Sequence, residues 1–246
     1  MRVPASEVEI AAAWLLERFA AGFEERDAGD ALELAVYTDD AGEAAVRSAF
    51  ADVRAEPVQP GWENRWKEFH QPAHVGGLWI GPPWISPPPD IPSVVVDPGR
   101  AFGTGAHPTT RTCIELLARL ERGALLDAGC GSGVVAVAAV RLGFAPVLAV
   151  DLDPVAVEVA TATARANGVG VDVAQVDVLR ESLPAVDVVV ANIELAVVEQ
   201  LLRRVTAELA VTSGYLSPES PRVAGWLVVD RLELEGWAAD VLAKQH

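Results

Sequence analysis

The sequence predicts an α/β protein: a doubly wound, seven-stranded sheet that ends in an antiparallel hairpin, joined to a small N-terminal α+β domain. Three observations lead there. Beyond Val94, short apolar runs alternate with stretches of helical period, the pattern of a parallel sheet whose crossovers are helices. The runs PVLAV (146–150) and VDVVVA (186–191) are apolar with little alternation, as strands buried on both faces are. The chain then closes with two strand-like runs, 226–235 and 237–243, joined at Glu235-Gly236, so the last pair is antiparallel.

The elements follow in order. Arg2-Val3 reads as a short first strand, and residues 6–20 as a helix in which Val8, Ala12, Leu15, Leu16 and Phe19 recur at helical spacing behind a Ser6–Glu9 capping box. A strand over 31–37, a helix over 40–50 and an extended piece over 51–57 complete a domain spanning residues 1–57. Residues 58–92 carry Trp62, Trp66, Trp79 and Trp84 among PP and PPP runs; proline fixes φ and removes donors, so this stretch reads as a stiff linker. A tryptophan cage for a ligand is the other reading of that segment. In the domain over 93–246, helices at 109–120, 134–142, 154–166 and 195–209 alternate with strands at 124–127, 147–151, 171–176, 186–191 and 211–216 before the hairpin.

Composition bounds the function. The chain has 246 residues, 51% of them apolar, enough for a sizeable core, and no run nears the roughly 20 apolar residues of a membrane span. Charges interrupt MRVPASEVEI, which argues against a secretory signal and for a cytoplasmic protein. Cys113 and Cys130 have no zinc spacing and read as small buried hydrophobes, and His70, His74, His107 and His246 are scattered, so no metal is expected. A formal charge of −16 opposes binding to a phosphate backbone and suits a basic partner, although solubility alone would also account for it.

Two glycine loops carry the chemistry. In LLDAGCGSG an apolar strand runs through Asp127 into Gly129, Gly131 and Gly133 and then a small-residue helix; glycine permits the tight turn and lets a ligand approach the backbone. The G-x-G-x-G spacing makes no special provision for a pyrophosphate. Asp151 ends the next strand, where an acid accepts both hydroxyls of an unphosphorylated ribose, unless it only caps the strand end. Asp177 follows the third strand and could reach the exocyclic amine of an adenine, or be a solvated loop acid. Asn192 ends the fourth strand at the sheet's switch point, where its amide offers a donor and an acceptor, or serves a turn of its own. The other loop, AFGTGAHPTT (101–110), is not a phosphate cradle, because no P-loop lysine follows its glycines. His107 has an unperturbed pKa near neutrality and is a candidate base, but it also precedes Pro108 at a helix start, where it would order the loop.

Together these features describe class I S-adenosylmethionine-dependent methyltransferases. More narrowly, DPGRAFGTGAHPTTR, LLDAGCGSG, AVDLDP and VVVANIEL, with WENRWKEFHQPAHVGGLWIGPPW upstream, closely resemble the ribosomal protein L11 methyltransferase (PrmA) family over most of the chain. The glycine loop and Asp151 are common to most class I methyltransferases; AFGTGAHPTTR is the specific part. The resemblance implies a small N-terminal domain that recognises a basic ribosomal protein and a C-terminal domain that transfers methyl groups to amines. It implies that Thr104, Gly129, Asp151 and Asn192 contact S-adenosyl-L-methionine, with Gly131 and Asp177 beside them. Asn192 and His107 are the catalytic candidates, and no dedicated base is required. The chain departs from the family pattern at IELAVV after Asn192, in the short room for a last helix at SGYLSPESPRVAGW, and at its first strand. The expected protein is a monomer with no direct contact to nucleic acid or membrane. A small-molecule methyltransferase, a methyltransferase of another protein's lysines and a non-catalytic cofactor-binding protein are the alternatives.

Overall fold

The structure is a computed structural model and describes residues 1–4, 8–19, 23–27, 31–36, 38–56, 71–97, 103 and 105–245. The chain divides into two compact units, Met1–Glu63 and Asn64–His246.

In the first unit, strands β1 (Arg2–Pro4), β2 (Glu24–Asp27) and β3 (Ala31–Ala35) form an antiparallel sheet in the order β1-β3-β2, with helices α1 (Val8–Arg18) and α2 (Asp40–Ala49). Met1, Val3, Ala11, Leu15, Leu34 and Val46 make its core. The sequence reading has no counterpart of β2, because Glu-Glu-Arg-Asp shows no apolar alternation; the strand exists through its ladder with β3. Asp39 caps α2 by accepting the Gly42 N–H at 2.9 Å. The expected Ser6–Glu9 capping box lies outside the described residues.

The second unit opens with a three-stranded sheet, β4 (Ala73–Val75), β5 (Leu78–Gly81) and β6 (Ser93–Val95). The first two strands fall inside the stretch read as a linker. Val75, Leu78 and Ile80 there, with Val94 of β6, belong to the main hydrophobic core, so burial orders a segment whose prolines dominate its composition. The prolines do govern residues 82–92, which hold neither helix nor strand. Trp79 is buried; Trp62 and Trp66 lie outside the described residues.

The main sheet has seven strands in the order β12-β13-β11-β10-β7-β8-β9. These are β7 (Leu125–Ala128), β8 (Val147–Asp151), β9 (Asp172–Gln175), β10 (Val188–Asn192), β11 (Leu209–Leu216), β12 (Trp226–Leu234) and β13 (Trp237–Lys244). β9 through β11 along that order are parallel; β13 runs antiparallel to β11, and β12 antiparallel to β13. Alternate residues enter opposite cores: Leu125, Ala149, Val188 and Val190 face one side, and Leu126, Val150, Val189 and Ala191 the other. Helices α3 (Pro108–Arg119), α4 (Val134–Leu142) and α5 (Pro154–Ala166) cover the first face, and α6 (Leu195–Leu202) covers the second. Both faces of the central strands β7, β8 and β10 are therefore covered, which is why these strands are mostly apolar until their carboxyl ends.

One boundary departs from expectation. The helix expected over 195–209 stops at Leu202, and β11 begins at Leu209, which pairs with Val188. Leu201, Val205 and Leu209 keep helical spacing by coincidence; the ladder with β10 takes Leu209 into the sheet.

Candidate active site

From β7 the chain builds the sheet outward through β8 and β9, then returns to the other side of β7 with β10 and β11. The order reverses between β7 and β10, and a cleft opens at their carboxyl ends, as doubly wound sheets require.

The floor of the cleft is the turn that joins β7 to α4. The Gly129 and Cys130 N–H groups both donate to the Val150 carbonyl, at 2.8 and 3.0 Å, and the Gly131 N–H donates to Asp151 Oδ2 at 2.9 Å. The turn therefore hangs on the end of β8. Gly129 has φ +79°, and a Cβ there would lie 2.5 Å from the Ile193 side chain. Gly133 lets α4 pack against α5, since a Cβ on it would meet Ala160 Cα at 2.9 Å. The first glycine loop is fastened to the second: Ser132 Oγ donates to the Gly103 carbonyl at 2.5 Å.

The cleft is lined by the turn 129–131, Gly103, Thr110, Asp127 and Asn192, with Val134 and Val135 behind. Asp127 is buried, and its Oδ2 has no hydrogen-bond partner among the described residues. Burial pushes the carboxyl pKa up to about 7, the Ala136 backbone amide opposes that rise, and the nearby Asp151 charge adds to it. Asn192 ends β10 with its Nδ2 3.5 Å from Thr110 Oγ1 at the start of α3. Burial also pushes the Cys113 and Cys130 thiols up, Asp127 adding to it in both, so neither supplies a thiolate.

Of the residues singled out from the sequence, Gly129, Gly131 and Asn192 line the cleft, and Asp151 touches it through the Gly131 amide. Asp151 Oδ1 accepts the Asp153 N–H at 3.0 Å, while Asp153 itself caps α5 through the Val155 N–H. Asp177 lies apart from the lining; its carboxylate accepts the Leu179 N–H and pairs with Arg180 at 3.4 Å. Thr104 lies outside the described residues. His107 caps α3, Nδ1 accepting the Thr109 N–H at 3.3 Å, and its ring meets Trp237 edge-on with centroids 5.1 Å apart. That nitrogen is committed to the helix.

Three contributors escaped the sequence reading. Thr110 and Gly214 come from distant segments: Gly214 interrupts the β11 register next to Ser213, the partner of Asn192, and its bare α-carbon admits the Ile193 backbone. Asp240 is fully buried on β13, where both its carboxylate oxygens accept from Arg231 Nη1 at 2.9 Å and its Oδ2 also accepts from Tyr215 OH at 3.0 Å and Ser220 Oγ at 2.8 Å. This network ties the hairpin to β11.

The arrangement suits a cationic nucleoside. Backbone amides and glycines line its floor, an acid stands at the end of β8, and the lining includes Asp127, whose buried Oδ2 has no hydrogen-bond partner among the described residues.

Comparison with known proteins agrees. The family model of ribosomal protein L11 methyltransferase (PrmA) matches residues 18–241. Ribosomal protein L11 methyltransferases of Pelobacter propionicus and Vibrio campbellii are 42% and 40% identical to the chain over 188 and 177 residues, 70% and 66% of this chain and 61% and 59% of theirs. The chain thus spans about three-fifths of the length of these curated relatives. The crystal structure of ribosomal protein L11 methylase from Lactobacillus delbrueckii subsp. bulgaricus matches with a TM-score of 0.60 at 26% identity, covering 69% of this chain and 96% of that one. With its glycine turn, its switch-point cleft and its antiparallel last hairpin, the chain has the class I methyltransferase fold and belongs to the ribosomal protein L11 methyltransferase (PrmA) family.

Proposed function

We propose that the protein transfers methyl groups from S-adenosyl-L-methionine to amines of ribosomal protein L11, on lysine side chains, the N-terminus or both. The observation that carries this reading is the convergence of the Gly129–Gly131 turn, Asp151, Asp127 and Asn192 on one cleft in a chain of this family.

Bound in that cleft, the cofactor supplies a methyl group on a sulfonium, open to in-line displacement. Asp151 binds the ribose hydroxyls, holding its own carboxylate in place through the Gly131 and Asp153 amides. The Gly129 and Gly131 backbone lies against the ligand without a side chain between them. The family resemblance assigns Thr104 a contact to the ligand, whereas Asp177, committed to the Leu179 amide and Arg180, stands apart from the cleft lining. The Asp127 carboxylate offers its unpaired oxygen to positive charge.

The incoming amine must be neutral, and a free lysine amine with a pKa near 10.4 is mostly protonated. The Asn192 carboxamide oxygen accepts an N–H of the neutral amine and aims its lone pair, while loss of water around the bound amine disfavours the ammonium form. Orientation and desolvation do the work that a base would otherwise do.

Residues 1–57 hold thirteen acidic and five basic side chains, half of the chain's net charge of −16. This supports their role in recognising a basic ribosomal protein, with 93–246 as the transfer domain, into whose core β4 and β5 of the 58–92 stretch also pack. The same substrate implies work in the cytoplasm. Incubation with methyl-labelled S-adenosylmethionine and ribosomal extract tests the reading. Label on a small basic ribosomal protein supports it; label confined to small molecules favours the small-molecule alternative.

A further inference from the structure

We propose that Glu235, together with Trp237, positions the cofactor cleft: the turn between β12 and β13 grips the start of α3 and, through Thr110, sets where Asn192 stands. The idea rests on reading the cleft as an S-adenosylmethionine site.

The registers place the turn at the right edge of the sheet. Asn192 lies beside Ser213, Ser213 beside Ala239, and Leu216 and Leu234 both beside Trp237. The hairpin tip therefore stands at the same carboxyl edge as Asn192.

Glu235 has φ +51°, the one positive φ at a residue other than glycine among the described residues, and Gly236 follows at +83°. Two successive positive φ values make a turn whose first position favours Asn, Asp or Gly. A glutamate there stores backbone strain that those residues would not. What glutamate adds is reach: its Oε1 lies 3.5 Å from Arg111 Nη1 on α3. Among the described residues the buried Arg111 Nε has no hydrogen-bond partner, and Glu235 accepts from Nη1 of the same guanidinium. Two residues along, Trp237 packs edge-on against the His107 ring, and His107 caps α3.

Both ends of the first turn of α3 are thus held by one hairpin tip. Thr110 lies between them and faces Asn192 at 3.5 Å. An exposed ion pair contributes little to stability, and Glu235 is 63% exposed, so the expected consequence is geometric.

This separates the proposal from a merely structural role. Glu235→Asn should relieve the strained turn and leave Tm equal or higher. Amide hydrogen exchange at residues 105–112 should nevertheless quicken by about tenfold. Binding of S-adenosylmethionine, measured by calorimetry, should weaken by about fivefold. Glu235→Gln, which keeps the strain and loses the charge, should quicken the same exchange without a gain in Tm. If exchange at 105–112 is unchanged in both variants, the proposal is wrong. Exchange is read without ligand, so a wild-type protein that fails to bind S-adenosylmethionine counts against the methyltransferase reading alone.

Discussion

Gly214 and Ile193 touch backbone to backbone: a Cβ built on Gly214 would overlap the Ile193 carbonyl oxygen and lie 2.7 Å from its carbonyl carbon and 2.9 Å from its nitrogen. Ile193 follows Asn192, so the bulge in β11 shapes the segment that carries the cleft's amide. With φ at +100°, Gly214→Ala meets both a clash with rigid backbone and a disfavoured conformation. The variant should lose roughly 2–4 kcal/mol of stability in denaturant titrations. A loss below about 0.5 kcal/mol would mean that the Ile193 segment moves freely.

Asp127 makes stability depend on pH. Its pKa is raised from 3.8 to about 7 by burial, so the unfolded chain gives up this proton more easily than the folded one. The neutral carboxyl favours the fold below about pH 4, and that contribution is lost as pH rises through about 7. Relative to Asp127→Asn, the wild type should lose roughly 2–3 kcal/mol between pH 5 and pH 8 and little above that. Parallel stability curves for the two proteins would show that the carboxylate is solvated.

Asp151 has two duties that substitution separates. Asp151→Asn keeps one acceptor oxygen, which can stay with the Gly131 amide at the expense of the Asp153 amide, whereas Asp151→Ala removes both. Both should weaken S-adenosylmethionine binding by about tenfold or more, because the ribose loses its charged acceptor. Only the alanine variant should also loosen the glycine turn, seen as faster amide exchange at 129–133. Normal binding in both would remove Asp151 from the ribose.

His107→Ala should cost about 1 kcal/mol of stability through loss of the α3 cap. The pH profile of methyl transfer should keep its shape. A profile that loses its neutral-pH limb would instead make His107 a base.

What was legible in the sequence is what local chemistry dictates. Gly129, Gly131 and Gly133 announce a turn because glycine takes positive φ values at little cost, Asp151 and Asn192 sit at the ends of apolar runs, and Glu235-Gly236 marks the hairpin. Long-range packing decided the rest. Nothing in EERD predicts β2 without β3, and nothing near Gly214 points to Ile193, which meets it only when β10 and β11 lie side by side. The strands β4 and β5 were hidden because their order comes from burial against α3 and α4. Likewise, the isolation of Asp127 Oδ2 exists only once the cleft is assembled.

The central claim is methyl transfer to ribosomal protein L11, and one measurement meets it directly. Purified protein is incubated with S-adenosylmethionine and unmodified ribosomal protein L11, and the intact substrate is weighed by mass spectrometry. The account predicts a gain in whole methyl steps, mapped to amines, that Asn192→Ala abolishes or sharply slows. An unmodified L11 in the presence of protein that demonstrably binds the cofactor would contradict it.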